Sequence, residues 1–299
     1  MSSGGRRSSE VADDPAVAGG AGRGNVPEVR GGVNGVTART SGPVAPSRFA
    51  PYPSAMPETP SPIAAAYALL LLIGMPALAA LDARRGANLA DAAKHRRLLY
   101  VSVGASLVVL GLVTLGVAAW QDVPPEALRW TVSEPGAALL WGLAVAVAGL
   151  ILSWLLTVVG RWTGLRETAA VMLLMPRDAA QKRGFLVLAG IAAVCEEYAY
   201  RGFGLWAVST WTGNVWLGAA LVSLSFGLGH GYQNLVGVIR ATVLGMVLAV
   251  TVIWSGSLFP AIVGHFWINA AIGLGGWRYL HAEFGPDDID GNLTEDEER

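Results

Sequence analysis

Seven apolar runs fill the chain between residues 63 and 280: Ile63 to Leu81, Leu98 to Trp120, Gly136 to Val159, Phe185 to Val208, Val215 to His230, Leu235 to Trp254 and Leu258 to Leu280. Each is near the ~20 residues a helix needs to cross a bilayer, the fifth being short. Composition agrees, with 53% hydrophobic and only 14% charged residues, where soluble domains carry about a quarter charged. The expected fold is therefore all-α, a polytopic transmembrane bundle of about seven to eight spans over residues 61–282, and the lipid bilayer is its first partner.

The formal net charge of -1 conceals a segregated distribution. Arg84, Arg85, Lys94, Arg96 and Arg97 follow the first run, and Arg161, Arg166, Arg177, Lys182 and Arg183 follow the third, whereas the second is followed by Asp122, Glu126 and Glu134 against Arg129. Basic loops stay on the cytoplasmic side, so loops one and three are expected inside and loop two outside. With seven spans the N-terminus is then outside and the C-terminus inside.

Outside the apolar region, residues 1–60 are rich in Gly, Ala, Pro, Ser and Arg and hold almost no large apolar side chains. Such a segment cannot bury enough surface to offset its ordering entropy and is expected to be disordered. Its prolines, from Pro43 to Pro62, suit a stiff extended linker into the first span. The acidic tail 283–299 is expected to be solvated. A calcium loop there fails, because aligning Gly291 with the obligatory glycine places Pro286 at the first ligand position. The segment Val171 to Met175 could form an interfacial helix before the fourth run. No basic cluster with interleaved aromatics points to nucleic acid, and the single cysteine, Cys195, cannot form an internal disulfide.

Inside the fourth run stands Cys-Glu-Glu-Tyr-Ala-Tyr-Arg, residues 195 to 201. An ionised side chain at the bilayer centre costs roughly 2.5 to 3.5 kcal/mol, so Glu196, Glu197 and Arg201 require partners and a purpose. On an ideal helix Glu197 and Arg201 are about 40° apart in azimuth and Glu196 and Arg201 about 140° apart, which pairs Glu197 with Arg201 and leaves Glu196 on another face. Two further pairs share helix faces at i, i+4 spacing: Phe226 with His230, and His265 with Asn269. Of four histidines, only His230 and His265 lie in apolar runs.

Two chemistries fit this set. Glu196 could act with His230 as a general base that activates water, while His265 and Asn269 supply donors to a developing oxyanion. Alternatively Glu196, His230 and His265 could hold a divalent metal such as zinc with an open position for water. An amide side chain at Asn269 is a poor zinc ligand, which favours the first arrangement. The chain holds no His-Glu-x-x-His motif and no Gly-x-Ser-x-Gly elbow. Cys195 beside an acid in apolar surroundings disfavours a thiolate and reads as a small packing residue.

Glu-Glu-x-x-x-Arg at Glu196 to Arg201, Phe-x-x-x-His at Phe226 to His230 and His-x-x-x-Asn at His265 to Asn269 together resemble the CPBP family of CAAX prenyl endoproteases and bacteriocin-processing or immunity-related membrane proteins. The resemblance covers roughly residues 185–275. It implies an intramembrane endopeptidase in a membrane, for bacterial members the cell membrane, hydrolysing a peptide bond in a membrane-associated peptide or protein. Glu196 and His230 would activate water, His265 and Asn269 would stabilise the oxyanion, and Glu197, Arg201 and Phe226 would support the site. The family's metalloprotease label leaves a metal-free mechanism as the competing account. A non-catalytic membrane protein, such as an immunity factor, chaperone or transporter-associated subunit, would keep the same cluster for packing or binding.

The charge pattern makes a direct prediction about orientation. In a Cys195→Ala background, a cysteine at position 94 is expected to resist an impermeant thiol reagent applied from outside, and one at position 126 to react. The reverse pattern would invert the topology.

Overall fold

The computed structural model describes residues 61–84, 95–132, 134–165, 171 and 175–275. The tails 1–60 and 283–299 lie outside these residues, as does most of the segment Val171 to Met175. Among the described residues there are seven helices and no strand. We number them α1 (62–84), α2 (Arg96–Trp120), α3 (Pro135–Trp162), α4 (179–212), α5 (Val215–Leu228), α6 (Asn234–Ser255) and α7 (Phe259–Gly275). They correspond one for one to the seven apolar runs.

Local sequence sets several of their ends. The Ser61 hydroxyl accepts from the Ala64 amide with Pro62 in the first turn of α1, Asp178 accepts from the Gln181 amide at 2.7 Å to open α4, and Asn214 accepts from the amides of Trp216 and Leu217 to open α5. Gly256, at φ +68°, ends α6 in the left-handed conformation that glycine tolerates best.

By length and composition, four stretches are long and apolar enough to cross a membrane: Pro62–Leu81, Arg96–Trp120, Pro135–Trp162 and Gly231–Ser255. Helices α5 and α7 are apolar but shorter; at 1.5 Å per residue the 14 residues of α5 rise about 21 Å. Helix α4 is long but carries Lys182, Arg183, Glu196, Glu197 and Arg201. The short and charged helices have the densest protein surroundings: α7 lies along α3 and against α4, and α5 is held between α4 and α6. In α2 only 17% of the apolar window is buried and Leu98, Val101, Val109 and Leu112 point outward, as suits a lipid-facing helix.

Small residues allow the inner helices to approach. A Cβ on Gly142 of α3 would stand 2.9 Å from the Pro260 carbonyl oxygen and overlap Val263 of α7, and one on Gly264 of α7 would stand 3.3 Å from the Gly142 carbonyl oxygen. Gly227 of α5 packs in the same way on Thr242 of α6, and Gly111 of α2 on the Cys195 sulfur of α4. Such contacts take the place of hydrophobic driving force inside a bilayer. Gly116 and Gly231 face open space and do not share this role.

The loop between α2 and α3 is fastened across the bundle. The Leu258 amide donates to the Arg129 carbonyl at 2.8 Å, the Thr131 hydroxyl to the Gly256 carbonyl, and the Ser257 hydroxyl to the Thr131 carbonyl. Trp130 is thereby set edge-on against Tyr198 of α4, with ring centroids 5.3 Å apart, and against Phe259 at the start of α7.

Because the α3–α7 contact is made through backbone, Gly142→Ala is expected to destabilise the solubilised protein by about 1–3 kcal/mol, the usual range for overpacking. Gly116→Ala, with nothing within 4 Å of the new methyl, should leave the melting temperature unchanged or slightly raised. Paired thermal melts of the two variants in one detergent measure the difference.

Candidate active site

The polar residues of α4 sit where its hydrogen bonding changes. The α-helical stretch ends at Glu196 and a π turn runs from Glu197 to Gly204, in which backbone bonds reach i+5. Glu197 and Arg201 still lie on one side of this wider turn. The Arg201 Nη1 donates to Glu197 Oε1 at 2.8 Å, and neither side chain has any solvent exposure.

A second donor reaches the same carboxylate oxygen from α7: His265 Nδ1 is 2.8 Å from Glu197 Oε1. A carboxylate accepts, so this ring nitrogen carries the hydrogen. The other nitrogen, Nε2, faces Glu196 Oε2 at 3.6 Å, just beyond direct hydrogen-bonding reach. One imidazole thus lies between two adjacent glutamates. Their settings differ: Glu197 is sealed in the bundle, while the Glu196 side chain retains 16% exposure.

Phe226 of α5 packs three of these groups together. The Arg201 guanidinium carbon lies 4.4 Å from its ring centroid, a cation–π contact, and the His265 ring meets it edge-on at 6.0 Å. His230, just past the end of α5, stands 4.6 Å away, ring to ring, and its Nδ1 donates to the Phe226 carbonyl at 2.8 Å. With that hydrogen on Nδ1, the neutral ring presents Nε2 as an acceptor. Glu196 acts electrostatically on His230, and Tyr200 completes the aromatic surround with its ring centroid 5.3 Å from that of Phe226.

The structure therefore gathers Glu196, Glu197, Arg201, Phe226 and His265 into direct contact, with His230 joined through Phe226. Asn269 lies one turn beyond His265 on α7, half-buried, and no hydrogen bond links it to the others. Gly245 of α6 belongs to the group and carries no sequence signal, since glycine is common in membrane helices. A Cβ there would stand 2.8 Å from Arg201 Nη2.

Donor chemistry tests the site for a metal. Among the described residues no three His, Cys, Asp or Glu side chains converge on a point that could hold an ion. Both histidine Nδ1 atoms are bonded, to Glu197 and to the Phe226 carbonyl, which leaves the Nε2 of each ring as the nitrogen that faces the site.

Residues 181–271 match the family model described as Rce1-like, type II CAAX prenyl endopeptidase. This span runs from the first turns of α4 into α7 and contains every residue of the cluster, in agreement with the CPBP/CAAX resemblance of the three motifs. No curated protein and no solved structure matches the chain.

The burial of the ion pair sets an expectation for stability. Arg201→Ala strands the Glu197 carboxylate without a cation inside the bundle, and removing one partner of a buried pair costs roughly 3–5 kcal/mol. Glu196→Gln, at the more exposed position, should melt within about 1 kcal/mol of the parent, inside the spread of ordinary single substitutions. Melting curves with the order reversed would reassign the structural role to Glu196.

Proposed function

Taking the chain as a member of the CAAX protease family through residues 181–271, we propose that it is an intramembrane endopeptidase that hydrolyses a peptide bond in a membrane-associated peptide or protein by activating water without a tightly held metal. The observation that carries this reading is the unequal treatment of two adjacent glutamates: Glu197 is fully buried with its Oε1 bonded by Arg201 and His265, while Glu196 remains partly accessible beside the imidazole.

In this reading Glu196 takes a proton from water, assisted by His230, whose Nε2 lone pair is left available by the bond from Nδ1 to the Phe226 carbonyl. The hydroxide oxygen bonds to the scissile carbonyl carbon and the C=O π electrons move to oxygen, giving a tetrahedral oxyanion. His265 and Asn269 donate to that oxyanion, and each such donor is typically worth about 2.7–4 kcal/mol of barrier. For His265 to donate through Nε2 while Nδ1 donates to Glu197, the ring must be an imidazolium. Collapse of the intermediate breaks the C–N bond, and the proton held by Glu196 passes to the leaving amine.

The family description makes a prenylated C-terminal peptide the first substrate to try, with unprenylated membrane-associated peptides as the comparison. If the cluster instead serves packing in a non-catalytic immunity factor, chaperone or transporter-associated subunit, Glu196→Gln should leave the protein's phenotype intact.

In vesicles, Glu196→Gln is expected to lower turnover by about 10²–10⁴-fold, the usual worth of a general base, with the fold preserved. Asn269→Ala should reduce turnover without altering metal content, and chelator should have little effect. One zinc per chain by elemental analysis, lost in both His230→Ala and His265→Ala, would replace this mechanism with a metal-dependent one.

A further inference from the structure

The Arg201 guanidinium is held by surprisingly few polar contacts for a fully buried cation. Its Nη1 bonds to Glu197, but Nε and Nη2 have no hydrogen-bond partner among the described residues. Packing must fix the rest of its orientation. The Phe226 ring covers one side, with the guanidinium carbon 4.4 Å from its centroid. On α6 the neighbour is Gly245, where an ideal Cβ would lie only 2.8 Å from Nη2; the next nearest atoms, on Phe226 and Ser223, are at an ordinary 3.4 Å. The lack of a side chain at position 245 therefore matters to Arg201 above all.

We infer that Gly245 is a positioning residue for the hydrolytic site, acting through a relay from Arg201 to Glu197 to His265. The relay is continuous: the glycine surface bounds Nη2, the opposite guanidinium nitrogen bonds Glu197 Oε1, and that same oxygen receives His265 Nδ1. A methyl at position 245 pushes Nη2 away, and the guanidinium, confined by Phe226, carries Glu197 Oε1 with it. Because the histidine ring is held through Nδ1, its Nε2 swings relative to Glu196 Oε2, now 3.6 Å away. Catalytic groups misplaced by about 1 Å can lose on the order of 10²-fold in rate. Gly245 touches no reacting atom, so its loss should act on turnover rather than on substrate binding.

The kinetic readout rests on the peptidase reading, and a second readout does not. In Gly245→Ala, kcat for peptide cleavage in vesicles should fall by about tenfold or more with KM within about twofold. Gly190→Ala, on α4 with nothing within 4 Å of the added methyl, should match the parent. Independently of activity, ¹⁵N NMR of His265 should show the Nδ1 hydrogen bond of the parent weakened in Gly245→Ala. Parental kcat and His265 signals in Gly245→Ala would overturn the inference. Should that variant not fold, adding the methyl to Arg201→Lys, whose compact ammonium leaves room for it, is expected to leave the melting temperature of Arg201→Lys unchanged; a further drop of the same size as in the Arg201 background would show that Gly245 serves α6 packing and not Arg201. A parent protein without peptidase activity would count against the proposed function alone, and the NMR comparison would still decide the role of Gly245.

Discussion

A carboxylate and a guanidinium without solvent exposure, Glu197 and Arg201, form the interaction around which the inner helices are arranged. Alone, such a pair gains little over apolar side chains, since the attraction of the two charges barely offsets their desolvation. What makes it consequential is the number of elements that converge on it. Phe226 brings α5 to the guanidinium face, Gly245 brings α6 to its edge, and His265 brings α7 to the carboxylate. Each of these helices is positioned by one group on α4, so the pair acts as a registration point for the bundle.

The π turn in α4 belongs to the same arrangement. Such turns widen the helix and relax the backbone geometry at that point, and they are frequent at functional sites. Here the turn begins at Glu197, one residue after Glu196, so it separates the neighbouring glutamates into different environments. The fastened loop around Trp130 presses on Tyr198 in this turn, and the close glycine contacts of α3 with α7 and of α5 with α6 hold the surrounding helices near enough for the polar groups to meet. Packing on this scale is what lets charged side chains remain inside an apolar bundle.

Consequences for chemistry follow from the asymmetry. A glutamate with no solvent exposure and two donors on one oxygen is closed to water, whereas its neighbour, facing an imidazole without a formed hydrogen bond and partly open, has room to engage it. The two histidines are likewise differentiated by what their Nδ1 atoms bond: His230 a backbone carbonyl, which leaves a lone pair on Nε2, and His265 a buried carboxylate, which fixes its ring beside Glu196. The proposed division between water activation and oxyanion stabilisation rests on these partners more than on residue type.

Sequence by itself determined the helices and the identity of the polar set. Seven apolar runs became seven helices because run length and composition are local properties, and the i, i+4 spacing of Glu197 with Arg201 and of Phe226 with His230 placed each pair on one face even though one falls in a π turn and the other at a helix end. Spacing within a helix says nothing about which face of another helix it will meet. Sequence reasoning therefore associated Glu196 with His230, and His265 with Asn269, whereas the direct contacts of His265 are with the two glutamates, one of them 68 residues away along the chain. Gly245 was equally silent, because its function lies in an atom it lacks and in a neighbour on another helix. The charged helix α4 and the short helices α5 and α7 likewise depend on protein neighbours that apolar runs do not specify. Those outcomes were decided by tertiary packing, where steric fit and desolvation of buried charge act together across the bundle.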